Sequence, residues 1–251
     1  MNNDYLIDYT LHLADNSLIM GHRLSEWTGH GPILEQDIAI SNIALDLIGQ
    51  SRNFYQYAAQ IKGDEVTEDD LAYFRDAHEF KNILLVELPN GDWAKTILKL
   101  FFFSTYQYYL YQTLIASSDK QLSAIAEKSL KEVTYHVRWS SEWVIRLGDG
   151  TEESRKRIQN ALEELWGYTG EMLMPAEFEI ECVKNNIVAD IIAIKNDWEN
   201  KVTEIFDEAT ISLPKQKSEN NDGKDGKHTE HLEQILKEMQ YLQRTYPGCE
   251  W

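Results

Sequence analysis

The sequence predicts an all-α protein in which four long helices pack together and smaller helices flank them. Two observations lead there. Only 5 prolines interrupt 251 residues, and long stretches carry no strong breaker, as extended helices require. Apolar residues make up 43% of the chain, enough for a proper core rather than a disordered polymer. No short internal repeat and no linker divides the chain, so residues 1–251 are expected to form one domain.

The first helix is expected over residues 3–28. Thr10, Ala14, Ser17, Gly21 and Ser25 form a narrow stripe of small residues at steps of three and four, which lets a second helix approach closely. His12, Asp15, His22 and Glu26 occupy another face, and Gly29-His30-Gly31-Pro32 ends the helix. The second helix, 33–61, is apolar nearly all round from Ile38 to Ile48, the pattern of a buried helix. Asn42, Asp46, Gly49 and Asn53 align on one of its faces. Asp46 is thus a carboxylate in apolar surroundings, and it needs a partner or a proton.

A short acidic helix is expected over 68–80, capped by Thr67. Leu88-Pro89-Asn90-Gly91-Asp92 reads as a turn. The third long helix, 92–117, carries FFFSTYQYYLY. Aromatic side chains this dense indicate packing between long helices, with a Phe/Tyr-lined channel as the alternative. The fourth, 120–147, is stopped by Gly148 and Gly150. A fifth spans 152–172, Pro175 opens a looser segment, and a further helix spans 187–209. Residues 214–227 (PKQKSENNDGKDGK) read as a mobile surface loop. A last helix, 229–245, stops at Pro247-Gly248.

Charge narrows the function. With 24 Lys+Arg against 42 Asp+Glu, the net charge is −18, which opposes binding to nucleic acid or to anionic membranes. No apolar run reaches the roughly 20 residues of a membrane span. The two cysteines, Cys182 and Cys249, make no disulfide framework, so a reducing, cytoplasmic setting is expected. The acidic start MNNDYLIDY lacks a signal-peptide n-region. No GxGxxG or Walker arrangement and no local Ser-His-Asp or Cys-His signature is present.

EVTYHVRW in the fourth helix raises metal chemistry, because carboxylate and imidazole are ligands of iron and zinc. A di-iron centre in a helical bundle takes a glutamate from each of two helices and a Glu-x-x-His from each of the other two. Glu132 and His136 are four apart, and the position three after Glu132 is Tyr135. Asp46 is followed three residues later by Gly49, which has no side chain to ligate. The third helix has no Asp or Glu between Trp93 and Ser118. The set is half filled, so Asp46, Glu132 and His136 are read as a degenerate di-iron remnant, a polar cluster buried between helices. No catalytic, cofactor-binding or metal residue is therefore assigned in this chain. His228 and His231 have the spacing of two ligands on one helical turn, with packing or partner contact as the other reading.

Four blocks carry a family likeness: HLADNSLIMGHRLSEWTGHGPILEQDIAISNIALDLIGQSRNFYQYAA, LLVELPNGDWAKTI, KSLKEVTYHVRWSSEWVIRLGDGT and GKHTEHLEQILKEMQYLQRTYPGCEW. In order and over essentially the whole chain, they resemble the PaaC-type subunits of phenylacetyl-CoA epoxidase; residues 179–218 match most loosely. The resemblance implies a ferritin-like four-helix bundle with additional C-terminal helices. It implies a non-catalytic structural subunit in phenylacetate catabolism, with the di-iron cofactor and the CoA thioester held by a PaaA-type catalytic partner. A reductase subunit would deliver electrons from NADPH, and oxygen would epoxidise the ring. The expected assembly is a hetero-oligomer, with a homodimer as a state of the lone chain. The rival readings are a free-standing di-iron oxidase or hydroxylase, and an iron-independent module binding a small aromatic ligand among residues 101–111.

Overall fold

The computed structural model describes residues 4–63, 65–214 and 222–249, and among these it contains eleven α-helices and no strand. They are α1 (Asp4–Ser25), α2 (Leu34–Lys62), α3 (Glu68–Tyr73), α4 (Leu84–Glu87), α5 (Trp93–Leu114), α6 (Lys120–Gly148), α7 (Glu152–Leu165), α8 (Glu177–Lys184), α9 (Ile192–Glu208), α10 (Glu230–Met239) and α11 (Tyr241–Thr245). The all-α fold expected from the sequence is the one observed. The helices fall into two compact units, one of residues 1–89, 176–178 and 222–251, the other of 90–175 and 179–221. Each is built on one pair of long helices, and in both pairs the lengths are 22 and 29 residues.

In the first unit α1 packs along α2. The small-residue stripe does what its spacing predicts: a Cβ on Gly21 would come within 3.0 Å of Ile48 and 3.3 Å of the Ala44 carbonyl. Burial of α2 differs from expectation. Its apolar run from Ile38 to Ile48 is only partly enclosed, because Ile38 and Leu45 are 52% and 68% exposed, and Leu34 before it is 71% exposed. Thr67 caps α3 as predicted, in a reciprocal box: its Oγ1 accepts from Asp70 N, and Asp70 Oδ2 accepts from Thr67 N. That helix stops at Tyr73 instead of running to 80. Arg75 turns inward there and donates from Nε to the Leu71 carbonyl (2.5 Å), and a 3₁₀ turn follows at Ala77–Glu79. The expected C-terminal helix is broken at Gln240, whose buried amide donates to the carbonyls of Ala72 (3.1 Å) and Arg75 (3.0 Å).

In the second unit α5 packs against α6, α7 and α9. Asp92, Asp119 and Thr151 cap α5, α6 and α7 by accepting backbone N–H bonds in the first turn. The dense aromatics are core. Phe101, Phe102 and Phe103 are fully buried, and Phe102 lies 5.8 Å from the Trp198 ring and 6.0 Å from that of Phe206. The Trp198 indole donates to the Phe102 carbonyl (3.1 Å). Tyr108 and Tyr109 alone of that stretch's rings line an open groove of about 520 Å³, shared with Arg138, Glu142 and Lys201.

The fifth helix ends at Leu165 and continues as 3₁₀ turns over Trp166–Tyr168 and Gly170–Leu173. An unpredicted short helix, α8, precedes α9. Of the expected loop at 214–227, residues 215–221 lie outside the described residues. Gly223–Asp225 form a 3₁₀ turn with Gly223 and Lys224 buried. Gly148 ends α6 at a close approach: a Cβ there would sit 2.3 Å from the Ala209 carbonyl after α9. Gly148→Ala is expected to destabilise by about 1–3 kcal/mol through overpacking, read as a lowered urea midpoint. An unchanged midpoint would mean that this approach relaxes freely.

Candidate functional site

Asp46 lies on α2 in the first unit, whereas Glu132 and His136 lie on α6 in the second. His136 is fully buried, and Asp46 and Glu132 are half-buried. Gly49, on the outer face of α2, and Tyr135, 46% exposed on α6, occupy the positions where a Glu-x-x-His motif would place histidine. α5 brings serine, threonine, glutamine and aromatic side chains to its buried face, and no carboxylate. Among the described residues no group of three or more His, Cys, Asp or Glu side chains is placed to hold a metal ion. The donor set therefore does not fit a di-iron centre.

The buried charges of the first unit assemble elsewhere, into two clusters. In one, Asp15 of α1 is fully buried and paired with the guanidinium of Arg75. Asp15 also accepts from the Tyr55 hydroxyl (2.5 Å) and from Lys81 N (2.8 Å). Arg75 stacks over the Phe80 ring at 4.2 Å and donates to the Glu79 carbonyl (2.9 Å). Burial and the neighbouring Asp15 anion push the Tyr55 phenol well above its ordinary range. Burial alone would favour loss of the Arg75 charge; the Asp15 carboxylate outweighs it and holds the guanidinium protonated. Tyr55, Arg75 and the 74–81 segment are thus fastened to α1.

The second cluster explains His228. Its Nδ1 faces Glu87 Oε2 at 2.8 Å, and its Nε2 faces the Phe80 carbonyl at 2.9 Å. Both neighbours are acceptors, so both ring nitrogens must donate, which only the imidazolium can do. Burial works against that charge, but the hydrogen bond and charge of Glu87, with Asp15 nearby, raise the His228 pKa above its ordinary value. Glu87 is fully buried and also accepts from Thr229 N (2.6 Å) and Asn82 Nδ2 (2.9 Å). Arg23 donates to the Glu87 backbone carbonyl (2.7 Å). His228 therefore joins a carboxylate rather than a metal, and the start of α10 is pinned to α4. His231, on the first turn of α10, is half-buried.

Comparison with known proteins adds the family. A sequence profile described as "Phenylacetic acid catabolic protein" matches residues 1–251. The chain belongs to that family. One relative is an Escherichia coli (strain K12) protein whose name makes it a subunit of 1,2-phenylacetyl-CoA epoxidase. It is 45% identical over 246 residues, or 98% of this chain and 99% of that protein. The all-α architecture is that of this ferritin-like family. Among the described residues no helix is long and apolar enough to cross a membrane.

Both buried clusters escaped the sequence reading. Asp15 stood out only as one polar residue among four on its face, and its cation lies 60 residues away. Glu87 and His228 are 141 residues apart. The available signal was local: a lone Glu inside the apolar run LLVEL, which burial obliges to find a partner.

Proposed function

We propose that this chain is the non-catalytic, structural subunit of a phenylacetyl-CoA epoxidase in aerobic phenylacetate catabolism. The observation that carries the reading is the incomplete donor set: Asp46 followed by Gly49, Glu132 followed by Tyr135, and no carboxylate on α5. A bundle without these ligands needs a sister that has them, and the relative's name, that of one subunit among several, supports such an assembly. In this reading a PaaA-type subunit of the same family holds the di-iron cofactor and the thioester, and a reductase subunit brings electrons from NADPH. The complex works in the cytoplasm. The chain serves as one ferritin-like domain over residues 1–251, and Asp46, Glu132 and His136 are what it retains of the ligand set. Its contribution is rigidity: the Asp15–Arg75 and Glu87–His228 joints fix the short segments of the first unit to its long helices.

The test is to purify the chain alone and together with the catalytic subunit, then measure bound iron and NADPH-dependent epoxidation in each. The expected result is co-purification, with stoichiometric iron and activity only in the pair. About two irons per chain and turnover by the lone chain would establish the free-standing oxidase instead.

A further inference from the structure

In the second unit α5, α6 and α9 each turn one stripe toward the open groove of about 520 Å³. The stripes run over residues 105–109, 134–145 and 201–208, with the lining residues at helical steps of three and four. The lining includes Thr105 and Ser141, buried residues whose hydroxyls have no hydrogen-bond partner among the described residues. The residues just before them, Ser104 and Ser140, meet across α5 and α6 at 3.4 Å. The two unpartnered hydroxyls therefore sit at about the same level of the groove. A buried hydroxyl without a partner costs about 1–3 kcal/mol, which a guest that bonds to it offsets.

Charge and aromatic faces define that guest. Three carboxylates and two cations line the groove. Both cations are engaged on their own helices, Arg138 with Glu142 Oε1 (3.1 Å) and Lys201 with Glu204 Oε1 (2.9 Å). Each of these carboxylates keeps its second oxygen as an acceptor. Glu208 makes no ion pair among the described residues, so its charge is in excess. Tyr108 and Tyr109 stand edge to face at 5.2 Å, and the face of such a ring attracts a cation. Burial, then the charge of Asp197, raises the Tyr109 phenol above its ordinary value. The groove thus presents hydroxyls, spare carboxylate oxygens and aromatic rings. A guanidinium answers all three, with five donors, no acceptor and a plane that stacks on a ring. An anionic guest would meet the excess carboxylate, and an apolar one would leave the hydroxyls unpartnered. The α6 stripe is about 16 Å long, which is the span of about five extended residues. A net charge of −18 draws basic partners.

We propose that this groove binds an extended segment of another protein, with an arginine whose guanidinium bonds to the Thr105 and Ser141 hydroxyls beside the two tyrosines. The proposal stands on the second unit alone and does not rest on the epoxidase reading.

Fluorescence anisotropy of labelled acetyl-Gly-Ala-Arg-Ala-Gly-amide, titrated with the full chain at low salt, is expected to show saturable binding. The same peptide with citrulline keeps the shape and loses the charge, so it should bind at least about tenfold more weakly. Thr105→Val and Ser141→Ala remove hydroxyls that bond to nothing in the free chain. Each should weaken binding several-fold while leaving the melting temperature unchanged or raised. Glu208→Lys should weaken it too, by reversing the excess charge. No saturation up to about millimolar chain overturns the proposal, as does equal binding of the citrulline peptide. Binding that ignores both hydroxyl variants, or variants that instead lower the melting temperature, would overturn it by making these hydroxyls structural. Free arginine amide competing as strongly as the unlabelled peptide would overturn the protein segment as the occupant. Iron content and epoxidation bear only on the epoxidase reading, so the two can fail separately.

Discussion

Replacing Arg75 with methionine is expected to destabilise the first unit by about 3–5 kcal/mol, the usual cost of leaving a buried charge without its partner. Asp15 is fully enclosed, and its remaining donors, the Tyr55 hydroxyl and Lys81 N, are neutral. They cannot compensate a carboxylate in a low-dielectric site. The loss should be mainly electrostatic. The double variant Arg75→Met/Asp15→Asn removes both charges, keeps an acceptor for Lys81 N and lets the amide NH2 donate to the Tyr55 oxygen, so it should recover much of the single variant's deficit. Urea unfolding of the wild type, both single variants and the double gives the coupling directly. Hydrogen exchange should place the loss in α1, α2 and residues 74–81. If the double variant is as unstable as the sum of the singles, the pair is not a unit and the electrostatic account fails. Glu127→Gln is the contrasting control: an exposed carboxylate on α6 should shift stability by no more than about 0.5 kcal/mol.

That contrast shows which information the sequence carried. The long helices and most of their starts were legible because they rest on local chemistry: the Thr67 cap, the turn ending at Asp92, the breaker run at 29–32. The departure from the Glu-x-x-His pattern was legible too, because a glycine at 49 and an acid-free helix are facts of composition and spacing. Three things were not. The ends of α3 and α10 are set by Arg75 and Gln240 capturing carbonyls, bonds that no local pattern encodes. The apolar run of α2 looked like a buried helix because hydropathy records what a face could bury, not whether this chain buries it. Finally, the pair Glu87 with His228 went unread, because its members are far apart in sequence, unlike Glu132 and His136 on one helix face. Spacing along a helix ranks neighbours in sequence; a buried ion pair is a statement about neighbours in space.

The Glu87–His228 joint makes stability depend on pH in a direction its geometry fixes. The folded-state pKa of His228 is raised above the unfolded value of about 6.5. Below that value the ring is protonated in both states, and the joint contributes fully. As pH rises, the unfolded chain loses its proton first, while the folded chain still carries one. The contribution therefore declines from about pH 6.5 upward and is gone once pH passes the folded-state pKa. His228→Gln should remove this component and cost about 3–5 kcal/mol at pH 6, since Glu87 would keep its buried charge with only neutral donors from Asn82 and Thr229. Glu87→Gln/His228→Gln should lose less than His228→Gln alone. The measurement is urea stability at pH 6 and pH 9 for the wild type and each variant. Subtracting the His228→Gln curve isolates this group from the many other carboxylates and histidines. The difference should be large at pH 6 and shrink at pH 9, with the loss of exchange protection starting in α10. A difference that is the same at both pH values would mean that His228 sits neutral in the fold, with one of its two short contacts made without a proton.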